Sequence, residues 1–398
     1  MFNDLFIFPF FTTITIIVLL YPIAQKIGFT DKPCHRKQHK IPTPLIGGIS
    51  IYMAVLLTFY VNNIHLPHQL AFIVSMTLLI GVNLIDDYLG LSVKIRLIVQ
   101  IISVLIMTEL AGLKIDNLGN LFGLGQINLY GFSTVFTVFA VVGCINAFNM
   151  IDGMDGLAGS LALISISSFC FLAWLKGDND IIAYSSIYIA AILGFLMFNL
   201  RIFGRTSAKI FLGDNGSIQF GFLVSWLAII STQGGHVLAS PSYILWLVAL
   251  PLFDSVCIML RRYLKGRSPL SADREHLHHV FGVAGYSNNL SLSLLVIIAF
   301  ILSLIGIYGA LYFDNIEPVL FIFFLVLFAF HFWMMSRAWL IMKIARYLNY
   351  IDRRSGTITD YAEEKRSQSD RRFTPSDYQV QFFFNKPRYK FLRWILKI

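Results

Sequence analysis

The chain has 398 residues, 57% of them hydrophobic and only 13% charged, with a mean hydropathy of +0.70. That is far more apolar surface than a soluble domain of this length buries, so the composition excludes a water-soluble enzyme and specifies an all-α, polytopic integral membrane protein. The formal net charge of +9 reads as loop charge and attraction to anionic headgroups, and no helix-turn-helix, zinc-finger or RNA-binding pattern supports nucleic acid as a partner.

A membrane-crossing helix needs roughly 20 apolar residues. Eleven runs are candidates, near residues 3–24, 42–61, 67–85, 95–113, 133–151, 157–175, 181–200, 216–232, 240–260, 289–311 and 317–342. Barrel strands are short and alternating, whereas these runs are long and continuously apolar. The first is too long for a signal-peptide core and lacks a basic leader, so it reads as a retained span.

Short cytoplasmic loops retain lysine and arginine. With the N-terminus outside, the loops after odd-numbered spans hold fifteen basic residues: Lys26, Lys32, Arg36, Lys37, Lys40, Lys94, Arg96, Arg201, Arg205, Lys209, Arg261, Arg262, Lys265, Arg267 and Arg274. The opposite loops hold two, Lys114 and Lys176. The expected topology is therefore a periplasmic N-terminus and a cytoplasmic C-terminus, with a transmembrane catalytic domain over 1–345 and a basic, aromatic tail over 346–398. In that tail aromatics alternate with Lys386, Arg388, Lys390, Arg393 and Lys397, which suits a segment lying on the cytoplasmic leaflet. Cys34, Cys144, Cys170 and Cys257 are scattered, so no disulfide framework is expected.

The polar clusters follow in chain order. DKPCHRKQHKIPTPLIGG, residues 31–48, sets His35, Arg36, Lys37 and His39 ahead of two prolines and the Gly47–Gly48 pair, a basic loop that can cover a phosphate. The third span ends in Asp86–Asp87, followed by YLGLSVKIRL with Lys94. Adjacent carboxylates at a membrane boundary call for a nearby cation or a shared proton. The fifth span ends in NAFNMIDGMDGLAG, where Asn146, Asn149, Asp152 and Asp155 recur every three residues and Gly153, Gly156 and Gly159 follow one step behind. A three-residue step turns a straight helix by 300°. Asp152 and Asp155 therefore diverge unless the backbone loosens at Gly153.

The segment NLRIFGRTSAKIFLGDNGS, residues 199–217, places Arg201, Arg205 and Lys209 upstream of Asp214, Asn215, Gly216 and Ser217, immediately before the next apolar run. Backbone N–H groups at a helix start beside these cations suit phosphate, while a plain N-cap is the bland alternative. Asp254 lies inside the ninth apolar run. An acid there is either functional or a buried partner for Arg261–Arg262 two turns on. Finally, RRYLKGRSPLSADREHLHHVF carries His276, His278 and His279 among Arg261, Arg262, Lys265, Arg267 and Arg274. No cysteines accompany these histidines, so phosphate binding or proton movement fits better than a structural zinc. Every cluster falls on one expected face, and carboxylates for a hard divalent ion beside cations for phosphate oxygens are the parts of a phosphoryl-transfer site.

DDYLGLSVK, NAFNMIDGMDGLAG, FLGDNGS and HLHH, in this order, resemble the polyprenyl-phosphate N-acetylhexosamine-1-phosphate transferases, over roughly residues 1–345. HLHH after SPLSADRE and the loop DKPCHRKQHKIPTPLIGG are closer to the WecA-type branch, which uses UDP-N-acetylglucosamine and undecaprenyl phosphate, than to the triple-histidine MraY type. The resemblance implies eleven spans with an outside N-terminus. It also implies transfer of N-acetylglucosamine 1-phosphate to the lipid with release of UMP, in the bacterial inner membrane with the site facing the cytoplasm. Mg2+ is the implied cofactor, with Mn2+ as a substitute, and membrane lipid and a homodimer are further expected partners.

By motif match, Asp214 is the expected direct metal ligand, with Asp86 and Asp87 supporting the metal or the lipid phosphate and Asp87 also a proton acceptor. Asp152 and Asp155 would shape the nucleotide and metal site. Asn146, Asn149, Lys94, Arg205, Lys209, Arg262 and Arg274 are expected to bind substrate, and His276, His278 and His279 to contact phosphates or sugar. Direct attack by the lipid phosphate competes with a covalent carboxyl-phosphate intermediate. Two other readings are an MraY-type transferase, or another UDP-N-acetylhexosamine as donor. A secondary transporter would put its polar site near mid-membrane and show related halves, and neither feature is present.

Overall fold

The computed structural model describes residues 2–31, 42–202, 204–234, 237–269, 275–312 and 315–354. Residues Met1–Lys343 form one compact unit and Ile344–Ile398 a second. The polar clusters all belong to the first. Much of the basic loop between Asp31 and Pro42, Arg274, and the tail beyond Arg354 lie outside the described residues.

The described chain is largely helical, with one two-residue strand pair and an isolated antiparallel bridge between Asn117 and Asn128. In order it runs α1 (Phe2–Ile27), β1 (Thr30–Asp31), β2 (Thr43–Pro44), α2 (Gly47–Val61), α3 (Gln69–Leu89), α4 (Val93–Leu110), a 3-10 turn (Tyr130–Phe132), α5 (Ser133–Ile151), α6 (Leu157–Lys176) and α7 (Asn179–Asn199). It continues with α8 (Asp214–Thr232), α9 (Pro241–Leu247), α10 (Ala249–Leu264), α11 (Leu277–Val283), α12 (Asn288–Tyr312) and α13 (Glu317–Arg354). Among the described residues seven helices are long and apolar enough to cross a membrane, or eight when α9 and α10 count as one bent span. The protein is a polytopic helical membrane protein.

Three expected runs form helices that fall short of that measure, for physical reasons. α2 has 15 residues. α4 carries Lys94, Arg96, Gln100 and Glu109. α8 begins DNGSIQ and is buried at every residue from Asn215 to Leu227. It packs against α2, α3, α5, α6 and α9, so protein surrounds it and its polar side chains need not face lipid. Gly221 lets α5 come close, because a Cβ there would lie 2.5 Å from the Ile145 Cα and 2.8 Å from the Cys144 carbonyl oxygen. That approach sets the end of α5 beside the start of α8.

The ninth expected span, 240–260, is not one helix but two, bent by 84° between Leu247 and Ala249. Pro251 has no N–H to return to the Leu247 carbonyl. The Ser165 hydroxyl donates to that carbonyl instead, at 2.7 Å. The bend turns α10 back under α5, where the Ser255 hydroxyl donates to the Ala147 carbonyl at 3.2 Å, and brings Asp254 to the site.

Candidate active site

The site is assembled from helix ends. α3 closes at Gly90, whose φ of +71° is open to glycine at no steric cost, and the Gly90 N–H returns to the Asp86 carbonyl at 2.7 Å. Asp86 Oδ1 accepts from the Leu91 N–H at 2.6 Å and Oδ2 meets Arg96 Nη1 at 3.0 Å. The same Nη1 lies 3.1 Å from Asp214 Oδ2. Arg96 therefore supplies the cation that the adjacent carboxylates require, and joins two motifs 118 residues apart. Asp87 turns the other way, accepting from the Asp214 N–H at 3.2 Å and from Asn215 Nδ2 at 2.6 Å. It thus receives donors from the first turn of α8, where the helix dipole favours an anion.

The loop after β2 docks on the same segment. The Phe211 N–H donates to the Pro44 carbonyl at 2.8 Å, and the Gly47 and Gly48 N–H groups donate to the Phe211 and Leu212 carbonyls at 3.0 and 2.9 Å. Gly48 has to be glycine, since a Cβ would overlap Asn215 Oδ1 and the Gly216 backbone. β1 and β2 pair Thr30 with Pro44 and Asp31 with Thr43, so both ends of the basic loop are anchored beside FLGDNGS.

α5 ends at Ile151, and the Gly153 N–H folds back to the Ile151 carbonyl at 2.8 Å. This break separates the two aspartates. Asp155 Oδ2 accepts from Arg201 Nε at 2.7 Å and from the Ala208 N–H at 3.1 Å, and Asn199 Oδ1 accepts from the Gly156 N–H at 2.7 Å. Asp155 is thus held to the α7–α8 loop. Asp152 has no hydrogen-bond partner among the described residues, and burial, then the charges of Asp214, Asp155 and Asp87, push its carboxyl up to about 8. Asn149 Nδ2 donates to the Ser217 hydroxyl at 3.0 Å and Asn146 Nδ2 to Gln100 Oε1 at 2.8 Å, ties from α5 to α8 and α4.

The histidines stand against this loop. A Cβ on Gly153 would overlap the His278 imidazole, so the glycine is a seat for that ring. His278 packs against both His276 and His279, with ring centroids 5.6 and 4.1 Å away. Neither of its ring nitrogens has a hydrogen-bond partner among the described residues. Burial and the neighbouring His279 keep its imidazole neutral, pushed down to about 3. His276 Nδ1 lies 2.8 Å from Asp254 Oδ2, and Asp254 Oδ1 accepts from the Leu277 N–H at 2.9 Å. Of the two sequence readings of Asp254, pairing with Arg261–Arg262 gives way to pairing with the histidine loop. Arg261 instead bridges to Glu275 at 2.8 Å, shared with Lys265, and Arg262 Nη1 donates to the Pro269 carbonyl at 2.7 Å.

The contacts therefore gather Asp86, Asp87, Asp155, Asp214, Asn149, His276, His278 and His279 from the four motifs, and Asp152, next to the Gly153 that seats His278, joins them through charge coupling. Lys94 and Lys209 are exposed, and Arg205 Nη1 donates to the Met197 carbonyl at 2.7 Å. Sequence reasoning passed over Arg96 and Asn199 as site residues. In the sequence Arg96 reads only as loop charge, and Arg201 as one cation of the phosphate-binding group with Arg205 and Lys209, not as the partner of Asp155. The available signal was that Asp86 and Asp155 each need a counter-charge.

Among the described residues no three His, Cys, Asp or Glu groups form a metal cage. Mg2+ does not need one, taking one or two carboxylates together with substrate phosphates and water. Asp152, with no hydrogen-bond partner among the described residues and coupled in charge to Asp214 and Asp87, completes with them a hard-oxygen set that fits such an ion.

Residues 69–232, from the start of α3 to the end of α8, match Glycosyl transferase family 4. The chain is 38% identical over 344 residues to the undecaprenyl-phosphate alpha-N-acetylglucosaminyl 1-phosphate transferase of Salmonella typhimurium, covering 86% of this chain and 92% of that one. The enzymes of the same name from Escherichia coli (strain K12) and Haemophilus influenzae are 37% identical over 352 residues and 35% over 342, covering 88% and 85% of this chain and 95% and 94% of theirs. With that identity extending past the family segment into the histidine loop and α12, the chain belongs to the membrane transferases of glycosyl transferase family 4.

Proposed function

We propose that this protein transfers N-acetylglucosamine 1-phosphate from UDP-N-acetylglucosamine to undecaprenyl phosphate, as an early membrane step in O-antigen or related envelope polysaccharide synthesis. The observation that carries the reading is the carboxylate cluster Asp87, Asp152 and Asp214, coupled in charge and set beside Arg96 and the histidine loop. It lies in a chain 35–38% identical to enzymes whose names state that reaction. An oxygen of the lipid phosphate attacks the β-phosphorus of the nucleotide sugar. A new P–O–P bond forms as the bond to the α-phosphate oxygen breaks, and UMP leaves with the electron pair.

Each group has a task in that exchange. Asp214 and Asp152 would hold Mg2+, which polarises the phosphorus and offsets charge on the leaving group. Asp87 holds the first turn of α8, and with it Asp214, in place. Arg96 keeps Asp86 and Asp214 from repelling one another before substrate arrives. Asp155 with Arg201, and Asn149 with Ser217, fix the walls of the nucleotide site. His276, His278 and His279, with Arg262, contact phosphates or sugar. The fifteen-to-two distribution of basic residues supports a cytoplasm-facing site in the bacterial inner membrane, with the N-terminus outside.

The deciding experiment offers purified protein a panel of UDP-sugars with undecaprenyl phosphate and Mg2+, and measures UMP release and the lipid product. UDP-N-acetylglucosamine should be the preferred donor. Failure of every donor in the panel to release UMP would refute the transferase reading, and preference for another N-acetylhexosamine would refute the sugar.

A further inference from the structure

Asp254 is the one acidic side chain of α10, fully buried at 0% exposure. A carboxylate in an apolar setting persists only when its lone pairs are engaged. Both of its oxygens point at the histidine loop, Oδ2 to His276 Nδ1 at 2.8 Å and Oδ1 to the Leu277 N–H at 2.9 Å. The second bond fixes which ring atom the first can meet. Leu277 is the first residue of α11 and His276 its N-cap, so one carboxylate holds both the helix start and the ring before it. An ionised carboxylate only accepts, so Nδ1 carries a proton, and whenever the ring is neutral Nε2 keeps its lone pair. That Nε2 makes no hydrogen bond to a described residue.

We infer that Asp254 is a positioning residue: it holds the proton of His276 on Nδ1, so that Nε2 meets the substrate as a hydrogen-bond acceptor for an O–H or N–H group. This rests on the transferase reading above. The bend between α9 and α10 acquires a purpose, since a straight span would carry Asp254 away from the loop. His278 stacks on the ring that Asp254 orients and His279 meets it edge-on, so its influence extends along the histidine cluster to the seat at Gly153.

The chemistry of an amide supplies the test. Asp254→Asn keeps the volume but replaces one acceptor by a donor. Facing Leu277, the NH2 would set donor against donor, so the oxygen goes to Leu277 and the NH2 turns to His276. Nδ1 must then accept, and the ring proton moves to Nε2. α11 stays anchored while the tautomer is inverted. A purely structural Asp254 predicts wild-type catalysis in this variant.

The inference predicts a fall in kcat of ~10²-fold or more, the scale seen when the group orienting a functional histidine is changed, with the thermal midpoint in detergent held near wild type. His276→Asn is the second variant. Its amide NH2 can still donate to Asp254, which keeps the buried carboxylate satisfied, but nothing replaces Nε2. The double variant should then be no slower than His276→Asn alone, as expected when one residue acts through the other.

UMP release from UDP-N-acetylglucosamine and undecaprenyl phosphate is measured for wild type, both single variants and the double. Wild-type kcat in Asp254→Asn overturns the inference, and so do losses that multiply in the double variant. If Asp254→Asn does not fold, His276→Asn decides alone: wild-type kcat in that variant overturns the inference and a ~10²-fold loss supports it. An inactive wild type would instead refute the transferase reading.

Discussion

Gly153→Ala changes one hydrogen to a methyl group at the junction of two motifs. The new Cβ would lie 2.6 Å from His278 Cε1 and 3.2 Å from Cδ2, and would overlap Nε2. Gly153 does not have a positive φ, so alanine meets no backbone penalty and the whole effect is steric. The imidazole has nowhere to retreat. It is 6% exposed, with His276 and His279 both packed against it. Overpacking of this kind costs about 1–3 kcal/mol when the protein absorbs it, and a displacement of about 1 Å at a reacting centre costs ~10²-fold in rate. The expected result is a loss of UMP release near that size with a modest fall in thermal midpoint. Gly143→Ala, ten residues earlier on α5, is the control, since nothing lies within 4 Å of a Cβ there. It should keep wild-type activity and gain slightly in stability, because alanine is ~1 kcal/mol better than glycine inside a helix. If Gly153→Ala matched wild type in both rate and thermal midpoint, the seat for His278 would be wrong.

Two further outcomes follow from the carboxylates and the buried imidazole. Asp214→Asn should reduce UMP release by at least ~10²-fold and abolish most of the rise in thermal midpoint that Mg2+ gives wild type. Full activity with an unchanged Mg2+ response would remove Asp214 from the metal site. His278 is held neutral, its pKa pushed down to about 3, whereas an unfolded histidine takes its proton near 6.5. Its contribution to stability is present above that value and is lost as pH falls towards 3, by up to ~1.4 kcal/mol per pH unit. Denaturant unfolding of wild type and His278→Gln between neutral pH and pH 5 should therefore show a steeper acid decline in wild type, and parallel curves would count against a neutral buried ring.

The helices were legible in the sequence because lipid demands long, continuous apolar runs, and the carboxylate motifs because lipid makes every acid conspicuous. What the sequence concealed is which charges answer which. Arg96 and Arg201 are, in composition, ordinary residues of basic loops. The tight turn from α3 to α4 puts the first on Asp86, only the packing of α8 against α3 adds Asp214, and only the break after Ile151 turns Asp155 towards the second. The three-residue spacing of Asp152 and Asp155 did foretell divergence, yet it could not say that one would be paired and the other left without a partner. Asp254 shows the same limit from the other side. An acid within an apolar span was visible, with two arginines two turns away as its obvious partners. A proline that denies one carbonyl its helical donor bent the span by 84° and gave Asp254 to a histidine 22 residues on. In a membrane bundle the apolar pattern therefore fixes where helices lie, while breaks in those helices decide which polar groups meet. The chemistry of this site depends on two such breaks, after Ile151 and after Leu247, each marked in the sequence only by glycine or proline.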